Sequence, residues 1–357
     1  MLHARTEIIV ADAVRLLADL CEHFSEHGDV SYADGTGAVD FGFGQARLGA
    51  EGRRLVVEAK ASDEIYLAYM KMGVAEHVHE FAPVPAPEIH WTGDGVTGTI
   101  PPFFRAMRVV SAQTLTPHMR RIRLAGRDLG RFAEGGHHVR LIFPPAGREP
   151  VWPTLGSDGR IVWPEGEDRL EHRVYTIRRI DPAAGFVDID IVLHSGEETP
   201  GSRFATGARP GDIVGMSGPG GGEIGPASTL ILLGDDTALP AIARMLEELP
   251  ATATVKAVIE VDGPADELTL ATKAAADIVY LHRGGRPAGS CDLLPPALRA
   301  LDLPAFGNDV FVWCGCEFTD FRAIRAYLRK EIGLARHRHL VAAYWRRDRA
   351  GDVGGGD

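Results

Sequence analysis

An arginine and a tyrosine stand two residues apart in His172-Arg173-Val174-Tyr175-Thr176-Ile177-Arg178. Such a pair suits a ligand that has both an anionic group and a flat ring. Side chains of a strand alternate between faces, so Arg173, Tyr175 and Ile177 share one side. Val174, Thr176 and Arg178 share the other. An ordinary edge strand with solvated arginines has the same residue types, so the stretch must be weighed against the elements that position it.

Those elements come in three groups. Residues 1–90 read as a small α+β domain. Helical spacing puts Val14, Leu17, Cys21 and Phe24 on one stripe, alternating runs follow at 37–43, 45–50 and 54–60, and a second helix surrounds 64–81. Met1–Leu17 reads as helical toward its end, and the prolines at 83, 85 and 87 suggest a linker. From 100 to 226 come six strand-length runs bounded by turns, as in a closed antiparallel barrel. In one of them Ile189, Ile191 and Leu193 face opposite to Asp188, Asp190, Val192 and His194. The turn Asp181–Gly185 pairs that run with the one carrying Tyr175. From 227 to 349 buried strands alternate with helices, which implies a parallel sheet covered on both faces.

Charge and composition narrow the classes. The net charge of −11 argues against nucleic acid as a partner. Residues 1–95 carry 7 basic and 16 acidic side chains, whereas 103–140 and 322–349 are basic, with net charges of +6 and +7. The two basic segments can line a mouth for an anion or simply be solvated faces. No apolar run reaches the length of a membrane span, and Glu7 and Asp12 interrupt any signal-peptide core, so a cytoplasmic location is expected. The four cysteines are expected to be reduced thiols.

A barrel followed by a parallel α/β domain resembles the ferredoxin-reductase-like flavoproteins, which carry Arg-x-Tyr-Thr or Arg-x-Tyr-Ser on a barrel strand. More closely, residues 105–347 resemble the siderophore-interacting protein family of FAD-binding ferric-siderophore reductases. The shared features are Arg173-x-Tyr175-Thr176-x-Arg178, the strand Asp188–His194, Gly201-Ser202 followed by Arg209-Pro-Gly-Asp, the stretch Gly234–Pro250, and the closing Ala342–Arg347. The resemblance implies an FAD held by Arg173, Tyr175, Thr176, Val192, His194, Gly201, Ser202, Thr237 and Tyr344. It also implies reduction of Fe(III) in an anionic siderophore, with Arg140, Arg338 and Arg346 as candidate substrate ligands, and no side chain acting as acid or base. Alternatives are a general NAD(P)H-dependent flavin oxidoreductase with a protein or quinone acceptor, and a non-enzymatic binder of iron chelates.

The electron donor is expected to be NADH, NADPH or a reduced ferredoxin. Gly234-Asp235-Asp236-Thr237 stands where a glycine-rich dinucleotide loop would, but lacks its glycines. Asp236 is placed to cap the following helix, although two carboxylates there would repel a pyrophosphate. Glu260 and Asp262 suit a ribose hydroxyl, and Arg283 and Arg286 suit a 2′-phosphate. In Trp313-Cys-Gly-Cys316-Glu317, Cys316 replaces a glycine of the family pattern and is expected to pack as a small hydrophobe. The first domain resembles a small domain of unknown function found with siderophore-interacting proteins. Cys21, His23 and His27 there invite a metal reading, but Cys21 sits on the apolar stripe and no fourth ligand is evident, so no metal site is assigned.

Overall fold

A computed structural model describes residues 1–193, 199–222, 224–307 and 309–347. The chain divides into two units: Met1–Phe104 with Pro145–Leu170, and Arg105–Pro144 with the residues from Glu171 onward.

The first unit opens with β1 (Leu2–Ile9), where alternation buries Ala4, Thr6 and Ile8. Sequence reading placed no strand there, because the helical pattern that follows dominated the window. Next is α1 (Ala13–Phe24), capped by Asp12, which accepts from Arg15 N at 3.0 Å. Its buried stripe is Ala13, Leu16, Leu17, Leu20, Cys21 and Phe24; Val14, expected on it, is exposed. Then come β2 (Asp29–Ala33), β3 (Thr36–Asp40), β4 (Gly44–Glu51), β5 (Arg54–Ala61), α2 (Glu64–Phe81) and β6 (Trp91–Gly93). The sheet order is β2-β3-β4-β5-β1-β6, and the apolar sides of both helices join one core with it. The proline-rich stretch expected as a linker ends in β6, which pairs with β1. Trp91 is anchored by N–H donation to Ser157 O at 3.0 Å and Nε1 donation to Asp158 O at 2.9 Å.

The second unit begins with β7 (Phe104–Thr116), β8 (Met119–Ala125) and β9 (His138–Phe143). The chain then leaves the barrel. Pro145–Leu170, with the short hairpin β10 (Thr154–Leu155) and β11 (Ile161–Val162), belongs to the first unit. It returns through β12 (Glu171–Asp181), β13 (Phe186–Val192), α3 (Pro200–Gly207) and β14 (Ile213–Gly220), closing a barrel in the order β12-β13-β8-β7-β14-β9. Ile189 and Ile191 enter the barrel core as expected, but the opposite face of β13 is not solvated. Asp188 and Asp190 are buried and take bidentate hydrogen bonds from Arg123 and Arg121 on β8, at 2.7–2.8 Å and 2.7 Å. Much of the basic segment 103–140 is therefore structural: Arg120 likewise donates to Ala205 O and Thr206 O at the end of α3.

The α/β part runs β15 (Thr229–Gly234), α4 (Leu239–Glu248), β16 (Thr254–Val261), β17 (Ala275–His282), α5 (Leu294–Ala300), β18 (Val310–Glu317), α6 (Phe318–Ala326) and β19 (His339–Trp345). All pairs in the order β17-β16-β15-β18-β19 are parallel. Leu230 and Leu232 of β15 enter one core, Ile231 and Leu233 the other, which accounts for an unbroken apolar run. Arg178 on β12 makes a bidentate pair with Glu247 on α4, and Arg244 Nη1 donates to Ile177 O at 2.9 Å, so the barrel strand of interest is tied to the sheet domain. Among the described residues no helix is long and apolar enough to cross a membrane.

Candidate functional site

Pairing of β12 with β9 sets the chemistry on the barrel strand: Arg173 lies opposite Leu141 and Tyr175 opposite Val139. Arg173 is half-buried and donates from Nη1 to His172 O at 2.6 Å. The Tyr175 ring meets Phe143 edge-on at 6.4 Å, and burial raises its phenol above the usual range, so it stays protonated. Thr176, on the other face, is 3% exposed, and its Oγ1 is buried with no hydrogen-bond partner. A buried hydroxyl left unmatched costs free energy, which a ligand atom would relieve. Gly201, in the first turn of α3, faces Tyr175: a Cβ there would sit 1.5 Å from the Tyr175 Oη. Sequence reading gave Gly201 the task of letting a phosphate approach; its missing side chain is first required by Tyr175 itself. Ser202 is buried, with its N–H donating to the cap residue Thr199 at Oγ1, 3.3 Å.

Thr237 and Tyr344 are gathered elsewhere, at the carboxyl ends of β15, β18 and β19. The sheet is extended from β15 in both directions there, making a topological switch point of the kind that receives ligands. Asp235 organises it, accepting from Thr237 N (2.9 Å), Thr237 Oγ1 (2.5 Å), Glu317 N (3.1 Å) and Trp345 Nε1 (2.8 Å). Burial, then the neighbouring Asp236, pushes Asp235 up to about 6 despite those donors. Tyr344 Oη lies 2.6 Å from His138 Nε2 of β9. Burial, with His137 and Arg244, holds His138 down to about 4, so it is neutral and can accept a hydrogen bond from the Tyr344 O–H, which burial keeps protonated. The sequence offered Asp235 only as a charge that would repel a pyrophosphate and did not single out His138, because Glu317, Trp345 and Tyr344 lie more than 80 residues from them.

The carboxylates and arginines proposed for a nucleotide are already engaged. Asp236 does not cap α4, whose N-cap is Ala238; it pairs with Arg283 Nη2 at 2.8 Å. Arg283 and Glu260 are both buried and lie 3.5 Å apart, and burial with Asp235 pushes Glu260 up to about 7. Asp262 accepts from Gly285 N at 3.1 Å, and Arg286 donates to Arg283 O at 2.9 Å, so these residues build a turn. Cys314 and Cys316 are fully buried with Sγ atoms 3.6 Å apart, and Cys316 packs in the apolar core beneath the sheet.

The remaining expected residues disperse. Val192 is buried in the core shared with Met119, Leu230 and Trp313. His194 lies outside the described residues. Arg140 sits on β9 opposite Val174, half-buried. Arg338 donates to Val310 O (3.3 Å) and Gly307 O (2.9 Å), committing it to backbone. Arg346 is exposed, stacks over Phe318 at 4.7 Å, and lines a cavity of about 510 Å³ with Arg322, Arg347 and the start of α6. A second cavity, of about 560 Å³, opens beside His138, Arg244 and Trp313.

Comparison with known proteins gives the family. Residues 227–348 match the family described as "Siderophore-interacting protein", 108–223 match "Siderophore-interacting FAD-binding domain", and 5–92 match "Uncharacterized protein conserved in bacteria (DUF2218)". The chain is 30% identical over 247 residues to a ferric vibriobactin reductase, ViuB, of Vibrio cholerae, covering 68% of this chain and 89% of that protein. A siderophore utilization protein from T. fusca is 40% identical with a TM-score of 0.62, covering 69% of this chain and 93% of its own. The siderophore-interacting protein SipS from Aeromonas hydrophila is 30% identical with a TM-score of 0.58, covering 69% and 92%. FAD presents a flat ring and a diphosphate; the unmatched Thr176 hydroxyl, the Tyr175–Arg173 pair and the first turn of α3 fit such a group. The chain belongs to the siderophore-interacting protein family, its FAD-binding barrel and parallel α/β domain joined in one unit and preceded by a further small domain.

Proposed function

We propose that this FAD-dependent oxidoreductase reduces the iron of ferric siderophores in the cytoplasm and so releases it. The observation that carries the reading is the buried, unmatched Thr176 hydroxyl next to a tyrosine fitted against Gly201, with a cation two residues away on the same strand. Bound FAD supplies a ring that accepts two electrons from a donor and passes them on singly. The chain's own residues then bind and orient. Tyr175 would offer the ring an aromatic face, and the unmatched Thr176 hydroxyl would hydrogen-bond to it. Arg173, Gly201 and Ser202, with His194, hold the diphosphate side. Val192 backs the barrel wall, and Thr237 and Tyr344 would hold the ring from the sheet domain, with Tyr344 fixed by neutral His138. Arg346 and Arg140 meet the anionic chelate, whereas Arg338 serves mainly to hold the backbone before β18. Fe(II) is bound less tightly than Fe(III) by hard oxygen ligands, so reduction is release.

The donor is NADH or NADPH held weakly, because Asp235, Asp236 and Glu260 crowd the switch point with buried carboxyls; a reduced ferredoxin is the competing source. Anaerobic stopped-flow mixing of photoreduced, FAD-loaded protein with a ferric catecholate tests the reading. Flavin reoxidation with stoichiometric Fe(II) trapped by ferrozine is the expected result. Reoxidation no faster than that of free reduced flavin would sink it. Bleaching of the oxidised protein by NADH, NADPH or reduced ferredoxin identifies the donor separately.

A further inference from the structure

Three imidazoles converge in the first unit. His23 lies in the last turn of α1, His27 in the turn after it, and His77 on α2. His23 Nε2 and His27 Nε2 are 3.1 Å apart, and one ring nitrogen from each of the three lies within 4.8 Å of the others. Two nitrogens bound tetrahedrally to one zinc-sized ion, each at about 2.0–2.1 Å, stand roughly 3.3 Å apart, so the His23–His27 pair is already at that spacing and His77 closes the set by a small inward turn of its ring. His77 also has Nδ1 at 3.2 Å from Glu80 Oε2. A carboxylate on one imidazole nitrogen is the arrangement that fixes the tautomer and aim of a ligating histidine. The rings are held by packing: His23 lies 5.3 Å from Phe81, and His77 5.4 Å from Phe24, centroid to centroid. The carbonyl end of α1 adds partial negative charge beside them, in a segment where acidic side chains outnumber basic ones 16 to 7.

The thiol suggested by sequence is not part of this group. Cys21 is 3% exposed and turns into the core against Gly37, where a Cβ would lie 2.6 Å from its Sγ. His77 takes the place it was offered, 56 residues further along on another helix. That long-range approach was invisible in the spacing of His23 and His27.

We propose that His23, His27 and His77 bind a first-row divalent cation through three neutral imidazole nitrogens, the remaining positions being taken by water or a small ligand. Three imidazoles suit zinc, cobalt, nickel or ferrous iron and give nothing to magnesium or calcium. The inference is independent of the flavin reading. A simple hydrogen bond between His23 and His27 uses only two of the three rings and predicts no metal affinity.

The test uses the full-length, FAD-loaded protein stripped with a chelator and titrated with Co²⁺. Ligand-field bands to the red of the flavin absorption report the site, and Zn²⁺ competes. The expected result is stoichiometric binding, weakened by about tenfold or more in each of His27→Ala and His77→Ala. His27 is exposed, so H27A keeps the fold intact, which its metal-free melting curve checks. His118→Ala, which removes the histidine of the His118, Asp262 and Asp266 group in the second unit, leaves the bands in place. Absence of bands in wild type, equal binding by H27A and H77A, or loss of the bands in H118A would each overturn the proposal.

Discussion

Gly201 and Thr176 set opposite kinds of demand on the flavin strand. Gly201 leaves no space for a methyl group, so Gly201→Ala must displace Tyr175 or α3. The cost of such overpacking is about 2 kcal/mol, expected as a roughly thirtyfold loss of FAD affinity read from flavin absorbance per protein. Thr176 has a hydroxyl with no partner among the described residues. Thr176→Val should leave the FAD-free protein as stable as wild type or more so, yet lower FAD affinity about fivefold, near 1 kcal/mol. Equal affinity in the two proteins, measured by fluorescence titration, would take Thr176 out of the site. Arg346 and Arg338 separate in the same way: Arg346→Ala is expected to weaken and desalt-sensitise binding of an anionic chelate, whereas Arg338→Ala lowers stability by about 1 kcal/mol and leaves that binding unchanged. Residues close in sequence, such as Arg173, Tyr175 and Thr176, were legible as a group because a strand's alternation is local. Asp235, Glu317 and Trp345 were not, since their hydrogen bonds span 82 and 110 residues.

At the level of elements, the strands were the most readable part. Every barrel strand announced itself by its length and bounding turns, two of them also by alternation, and β15 by an unbroken apolar run. What alternation could not convey was that the polar face of β13 is buried. Asp188 and Asp190 follow a strand pattern that normally means solvent, and only the register with β8, placing Arg123 opposite Asp188 and Arg121 opposite Asp190, supplies their partners. Breaking one side strands an arginine over the barrel wall. Asp190→Asn is expected to cost about 2–3 kcal/mol, seen as a lower urea midpoint, while the more exposed Arg178–Glu247 pair is worth 1 kcal/mol or less by the same measurement. The strand β1 escaped notice because its eight residues run directly into the start of α1.

For the whole molecule, the buried carboxyls give stability a distinctive dependence on pH. Burial, with Asp292 and Asp235, pushes Asp320 up to about 7, and Glu260 is also raised to about 7. Between roughly pH 4 and 7 the folded chain holds protons that the unfolded chain has released, so these groups lower stability as pH rises. His138, held down to about 4, acts oppositely over about pH 4 to 6.5, but it is one imidazole against three raised carboxyls, Asp235 included. The urea midpoint of the second unit is therefore expected to be higher at about pH 5.5 than at pH 8, and Asp320→Asn to match wild type at the lower pH and exceed it at the higher. An Asp320→Asn protein with the wild-type difference would remove Asp320 as its source.

The excursion of Pro145–Leu170 out of the barrel has a consequence for how this protein comes apart. The polypeptide passes between the two units at residues 104–105, 144–145 and 170–171, so the first unit is sewn in by three threads rather than hung on one. A single cut near residue 104 leaves residues 1–104 tied to the rest only by non-covalent bonds to 145–170, such as those of Trp91, and a gene trimmed of its first hundred codons still encodes a loop parted from the strands it packs with. Residues 1–104 alone are therefore less than the first unit.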